Sequence, residues 1–188
     1  MSKCILITGG SRSGKSMFAQ KLAEANRGPR AYIATAPIID EEMRVRIRKH
    51  QLSRSKREWT TLEAPVDLCS AIQEAKNFPV VLIDCLTLWV NNVMFEAEQH
   101  SKKISESTIA RRCKEVLQAA DEHPGTIIFV TNEVGMSIVP ENQLARQFRD
   151  LAGRANQVIA AACEEVILVV CGQALKIKPP LINQPLSK

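Results

Sequence analysis

The sequence predicts an α/β fold: a mostly parallel sheet flanked by helices, in a single domain. Three observations predict it. Short apolar runs alternate with helix-period segments, and the runs are rich in Ile and Val. The chain also has 188 residues, 45% hydrophobic and 24% charged, the size and composition of one soluble globular domain. Runs without polar alternation are how strands covered on both faces of a parallel sheet read. Strand–helix alternation of this kind brings right-handed crossovers and places ligands beyond the carboxyl ends of the strands.

The strands are read at Lys3–Thr8, Ala31–Thr35, Val80–Asp84, Thr126–Thr131 and Glu165–Val170. Helices are read at Lys15–Ala25, Glu41–Arg57, Val66–Lys76, Thr108–Ala120 and Leu144–Ala162. The last is the clearest, because Leu144, Phe148, Leu151, Ala155, Val158 and Ala162 fall on one apolar stripe. The polar segment Glu96–Ser107 reads as an exposed loop or a frayed helix end. Pro179, Pro180 and Pro185 cannot continue a helix, so residues 1–178 read as the domain and 179–188 as a C-terminal tail.

Composition excludes several classes. Aromatics are 4% of the chain, too few for a base-stacking surface or an aromatic sugar platform. Met1 to Thr8 holds too short an apolar run for a secretory signal. No window approaches the roughly 20 apolar residues of a membrane span, and Val80–Val90 is interrupted by Asp84. The six cysteines form no CxxC pair and sit mostly in apolar segments, which reads as reduced, buried thiols and a cytoplasmic protein. No His, Cys and Asp cluster has zinc spacing.

Directly after the first strand stands Gly9-Gly10-Ser11-Arg12-Ser13-Gly14-Lys15-Ser16, a full match to GxxxxGK[ST]. Such a loop turns successive N–H groups around a phosphate, and the helix that begins at its end adds a positive dipole. Lys15 then reaches the β- and γ-phosphates, and the Ser16 hydroxyl ligates Mg²⁺. Val80-Val81-Leu82-Ile83-Asp84 is an apolar strand ending in a carboxylate, the second acidic partner such a metal needs. An N-cap role for the helix after Asp84 is the structural alternative. Together the two motifs predict a P-loop NTPase-like fold and an enzyme that uses a nucleoside triphosphate.

The stretch from Arg44 to Arg57 has seven basic residues among fourteen and no acidic one. In a helix, Arg46, His50, Arg54 and Arg57 share one face. Three guanidinium groups oppose protonation of the imidazole, and a neutral imidazole can attack phosphorus. Two other readings fit the run: a solvated basic face with an incidental histidine, and a nucleic-acid footprint. His100 in the polar segment and His123 before Pro124 read as uninvolved.

Beyond these motifs, Thr8–Ser16, Tyr32-Ile33-Ala34-Thr35 and Asp40-Glu41-Glu42-Met43 ahead of Arg46-Ile47 and His50 closely resemble a known family. So do Trp59-Thr60-Thr61-Leu62-Glu63, Asp84-Cys85-Leu86-Thr87, Thr131–Asn142 and Arg146–Gln157. It is the bifunctional adenosylcobinamide kinase/adenosylcobinamide-phosphate guanylyltransferase family of cobalamin biosynthesis. The resemblance runs from about residue 4 to residue 178. It implies phosphorylation of adenosylcobinamide by a nucleoside triphosphate, ATP or GTP. GTP then guanylylates an enzyme histidine, matched here by His50, and the GMP passes to adenosylcobinamide phosphate, giving adenosylcobinamide-GDP.

By position the resemblance implies a nucleotide site of Gly9, Gly10, Ser11, Arg12, Ser13, Gly14, Lys15, Ser16, Ala34, Thr35, Ala36, Gln51, Leu52, Ser53, Arg54, Glu63 and Asp84. Lys15 and His50 are the catalytic pair, and Ser16 and Asp84 the Mg²⁺ ligands. It also implies a homotrimer. Glu133, Arg146 and Arg149 are our own candidates for the corrinoid phosphate or a neighbouring subunit. Two segments depart from the family pattern: Cys171-Gly172-Gln173-Ala174-Leu175, and Gln51-Leu52-Ser53, where guanine contacts are expected.

Two alternatives come from other classes. Another P-loop small-molecule kinase would form no guanylyl-histidine, and a nucleic-acid-binding P-loop ATPase would bind DNA or RNA with steep salt dependence. The charge argues against the latter. The net charge is +5, but outside residues 44–57 the chain carries 18 basic and 20 acidic side chains. One basic segment around one histidine reads as a grip on triphosphate, with no nucleic acid as partner and no membrane span.

Overall fold

The computed structural model describes residues 3–36 and 58–178. The helix expected over 41–57 and the tail 179–188 lie outside these residues.

One seven-stranded sheet organises the described residues. Its strands are β1 (Lys3–Thr8), β2 (Arg30–Ala34), β3 (Trp59–Glu63), β4 (Val80–Asp84), β5 (Thr126–Val130), β6 (Glu165–Val170) and β7 (Gln173–Lys178), in the order β3-β2-β4-β5-β1-β6-β7. All pairings are parallel except β6 with β7, an antiparallel edge hairpin. The helices are α1 (Lys15–Glu24), α2 (Leu68–Glu74, continued by a 3₁₀ turn at Ala75–Asn77), α3 (Leu86–Gln99), α4 (Glu106–Asp121) and α5 (Gln143–Ala162). None is long and apolar enough to cross a membrane.

Strand alternation builds the two cores. On β1, β4 and β5, Leu6, Val81, Ile83, Ile127 and Phe129 join the core shared with α2, α4 and α5. Their neighbours Ile5, Ile7, Leu82, Ile128 and Val130 join the core on the opposite face, where Ala19 and Ala23 of α1 pack. Both faces of each strand are thus apolar, which is why these strands read as unbroken runs. Trp89 anchors the larger core and donates from Nε1 to the Val66 carbonyl at 2.8 Å. On the other face Arg30, itself buried, donates to the Ala23, Glu24 and Asn26 carbonyls and so closes the end of α1.

Three elements were not read from the sequence: β3, α3 and β7. The segment 96–107 is also shorter as a loop than expected. α3 continues to Gln99, and α4 starts at Glu106 behind Ser105, whose side chain caps Thr108 N–H. α3 is helical to that point because Leu86, Trp89, Val90, Val93 and Met94 bury one side of it. His123 is structural: its Nδ1 accepts from Gly125 N–H at 3.0 Å, so Nε2 donates to the Ala75 carbonyl at 3.1 Å.

Candidate active site

Sheet register brings the predicted residues to one edge. Glu63 and Asp84 are both the partners of Ala34, and Asp84 is level with Val130, which pairs with Ile7. Glu63, Ala34, Asp84 and the root of the phosphate loop therefore stand in one row at the carboxyl ends of β3, β2, β4 and β1. Neighbouring strands lie about 4.8 Å apart, so the row is compact.

The loop itself is shaped for an anion. Gly14 takes φ 95° as the N-cap of α1 and supplies no side-chain cap, leaving the first-turn N–H groups to face the loop. Gly9 has no room for a side chain, since a Cβ there would lie 2.4 Å from the Val169 carbonyl oxygen and 2.7 Å from Ser13 Oγ. Lys15 is buried and its Nζ donates to the Gly10 carbonyl at 3.1 Å, folding back over the loop. Ser13 Oγ and Thr8 Oγ1 are buried hydroxyls without a partner among the described residues. Orphaned buried hydroxyls are costly, and a phosphate in the loop is the kind of group that satisfies them.

Two outside contacts hold the loop. Gly172 N–H, in the β6–β7 turn, donates to the Ser13 carbonyl at 2.8 Å. Glu133 N–H, just past β5, donates to the Gly9 carbonyl at 3.1 Å. On the neighbouring strand end, Thr131 Oγ1 donates to Asn156 Oδ1 at 2.7 Å and lies 3.2 Å from Thr87 Oγ1, which accepts from Asn132 N–H.

At the strand end beside the loop, Tyr32 Oη donates to Asp84 Oδ2 at 3.2 Å. Thr35 Oγ1 accepts from Cys85 N–H at 2.7 Å, fixing the residue that follows Asp84. Burial, with the Asp84 charge adding to it, pushes the Cys85 thiol up to about 11, against a smaller pull from Lys15. Ser16 and Asp84 present hard oxygen ligands, the donor type that Mg²⁺ takes alongside substrate phosphates. Among the described residues no group of three or more His, Cys, Asp or Glu forms a metal cluster.

The residues Gly9 to Ser16, Ala34, Thr35, Ala36, Glu63 and Asp84 thus share the carboxyl end of the sheet. His50, Gln51, Leu52, Ser53 and Arg54 lie outside the described residues. Glu133, Arg146 and Arg149 each have partners of their own: Glu133 accepts from Gly135 N–H, Arg146 donates to the Pro140 and Glu141 carbonyls, and Arg149 pairs with Asp150. Sequence reasoning did not single out Tyr32, Thr87, Thr131 or Asn156 as parts of the site framework. All four lie in the segments that carry the family resemblance, but nothing in their residue types marks them as joining the strand ends.

A family model described as cobinamide kinase / cobinamide phosphate guanyltransferase matches residues 5–177. The chain belongs to this family. Within it, the chain is 42% identical over 181 residues to the bifunctional adenosylcobalamin biosynthesis protein CobU of Escherichia coli (strain K12), covering 93% of this chain and 99% of that protein. It is 38% identical over 174 residues to the bifunctional adenosylcobalamin biosynthesis protein CobP of Pseudomonas aeruginosa, covering 92% of this chain and 96% of that one. Among solved structures, a prototypical ATPase from a bacterial type III secretion system superposes with a TM-score of 0.56 at 12% identity. That match covers 88% of this chain and 50% of the ATPase, and shows the fold alone.

Proposed function

We propose that this member of the cobinamide kinase / cobinamide phosphate guanyltransferase family catalyses both reactions its family is described by. The observation that carries the reading is the family match over residues 5–177 on a chain whose phosphate loop, Asp84 and Glu63 share one edge of the sheet.

In the first reaction the aminopropanol hydroxyl oxygen of adenosylcobinamide attacks the γ-phosphorus of ATP or GTP. The bond to the β-phosphate oxygen breaks, a nucleoside diphosphate leaves, and the hydroxyl proton goes to solvent. Lys15 leaves the Gly10 carbonyl for the β- and γ-phosphates, where its charge offsets the negative charge of the transition state. Ser11, Arg12 and Ser13 line the same phosphates. Mg²⁺, held by Ser16 and Asp84, supplies further charge compensation on the triphosphate when bound.

In the second reaction a neutral imidazole nitrogen of His50 attacks the α-phosphorus of GTP. The bond to the β-phosphate oxygen breaks and pyrophosphate leaves. An oxygen of adenosylcobinamide phosphate then attacks the phosphoramidate, the N–P bond breaks, and His50 is restored as adenosylcobinamide-GDP forms. Ala34, Ala36, Glu63 and Gln51 to Arg54 are our nucleoside contacts, with Thr35 fixing the strand end behind them, and the arginines near His50 in sequence disfavour its charged form. A homotrimer in the cytoplasm is the assembly and compartment that fit this role.

The test is incubation with GTP labelled at the α-phosphate. An acid-labile, base-stable protein adduct is expected on the wild type and none on His50→Ala. Label retained on His50→Ala removes His50 as the nucleophile, and an unlabelled wild type removes the transferase reading.

A further inference from the structure

A cavity of about 740 Å³ opens between the later half of α3 and the first turns of α5. Its volume lies within the roughly 300–1,000 Å³ of small-molecule sites. We propose that it is the corrinoid subsite, holding a macrocycle with two apolar faces and a rim of carboxamides. The proposal rests on the kinase reading above and assigns that reaction its acceptor site.

Position is the first argument. α5 has 20 residues, about 30 Å of helix, whereas the six-residue β6 it leads into spans about 20 Å. α5 enters from the carboxyl end of the sheet, past β5, and its fully buried residues begin at Leu151, with Phe148 packing only partly against the larger core. α3 starts at that same end, one residue beyond Cys85, and Asn92 ties it to the Thr35 and Pro65 carbonyls. Asn91, on the cavity wall, is five residues past Leu86 and so about 8 Å along the helix. The near wall of the cavity thus starts about 8 Å along the helix from the end of β4 that carries Asp84. In this proposal a side arm extends from there to the loop while the bulk of the ligand stays outside it.

Wall chemistry is the second argument. Phe95, Leu144 and Phe148 form apolar surfaces, and Phe95 and Leu144 are 60% and 57% exposed, so the apolar part of the wall is open to a ligand. The remaining wall includes Asn91, Asn142 and Lys102, donors for amide carbonyls at a rim. From Glu133, bonded to the phosphate loop, the chain runs to Asn142 at the cavity through Met136, Ile138 and Val139, all exposed. One stretch of chain with three exposed apolar side chains therefore connects the two places in sequence.

The test uses the full chain and two surface variants, Phe95→Ala and Leu144→Asp. Steady-state kinase assays give KM for cobinamide and for the nucleotide. Equilibrium binding of cobinamide is followed by its visible absorbance, and sedimentation reports assembly. Both variants are expected to raise the cobinamide KM and Kd about tenfold or more, with the nucleotide KM and the sedimentation unchanged. An unchanged cobinamide KM overturns the proposal, as does a lowered assembly mass, which would make this face a contact between copies. A wild type that binds cobinamide, loses it on Phe95→Ala, yet phosphorylates nothing keeps the subsite and sinks the kinase reading. A wild type that binds no cobinamide sinks both.

Discussion

The hydroxyl of Thr35 grips Cys85 from both sides, accepting from its N–H at 2.7 Å and donating to its carbonyl at 2.8 Å. Thr35 is fully buried, and its own N–H donates to the Asp84 carbonyl. One side chain at the end of β2 therefore fixes the backbone on either side of the peptide that follows Asp84. Thr35→Val keeps the shape and strands two backbone groups, so a loss of about 2–3 kcal/mol is expected. Urea unfolding reads that loss. If Asp84 works from this strand end, kcat of the kinase step falls as well. Stability and kcat equal to wild type would show that the clamp is idle.

Ser13 gives a prediction of opposite sign. Its Oγ is buried without a partner among the described residues. Ser13→Ala removes a costly group, so the nucleotide-free protein should be as stable as wild type or more stable by about 1 kcal/mol. The stabilisation gained on adding nucleotide should shrink. Thermal melts with and without ATP measure both, and an undiminished nucleotide-dependent shift would release Ser13 from phosphate binding.

At the far end of the sheet, Lys3 and Lys176 bond Glu165 at 2.7 and 2.9 Å and hold its carboxyl below the usual range. A group lowered in the folded state adds stability above its unfolded value, near 4.3, and loses it as pH falls through the folded value. Both lysines are partly exposed, so Glu165→Gln is expected to cost only about 0.5–1 kcal/mol at pH 7. Unfolding curves should show that cost fading below about pH 4.

Thiol chemistry separates the cysteines. Burial pushes Cys113 and Cys163 up to about 12 and Cys85 to about 11, while Cys171 is exposed at the β6–β7 turn. Alkylation at pH 8 followed by mass spectrometry should mark Cys171 first and Cys69, only partly covered, more slowly. Cys85, Cys113 and Cys163 should react only on unfolding.

The sheet was legible wherever both faces of a strand are buried. Lys3–Thr8, Val80–Asp84 and Glu165–Val170 have the bounds read from sequence, and β2 and β5 differ from theirs by at most a residue at each end. The edges were not legible. Trp59–Glu63 and Gln173–Lys178 are largely exposed, so no apolar run marks them, and their pairing is set by β2 and β6. α3 was hidden for the opposite reason. Its apolar residues follow those of β4 with only Asp84 and Cys85 between, so no polar stretch announces a helix there. In the site, the phosphate loop and Asp84 carry their chemistry in their residue types. The Thr35 clamp and the Thr87–Thr131–Asn156 network depend on which strand ends become neighbours, which local sequence does not encode.

The Gly172 N–H bond to the Ser13 carbonyl ties the eighth glycine of the chain to a loop closed some 160 residues earlier. A ribosome makes Ser13 long before Gly172, and β6, which flanks β1, also arrives late. Until that hairpin emerges, the nascent loop lacks both its brace and one wall of its strand. Competence to hold a nucleotide is thus acquired only once Gly172 has been made, some 160 residues after the motif itself.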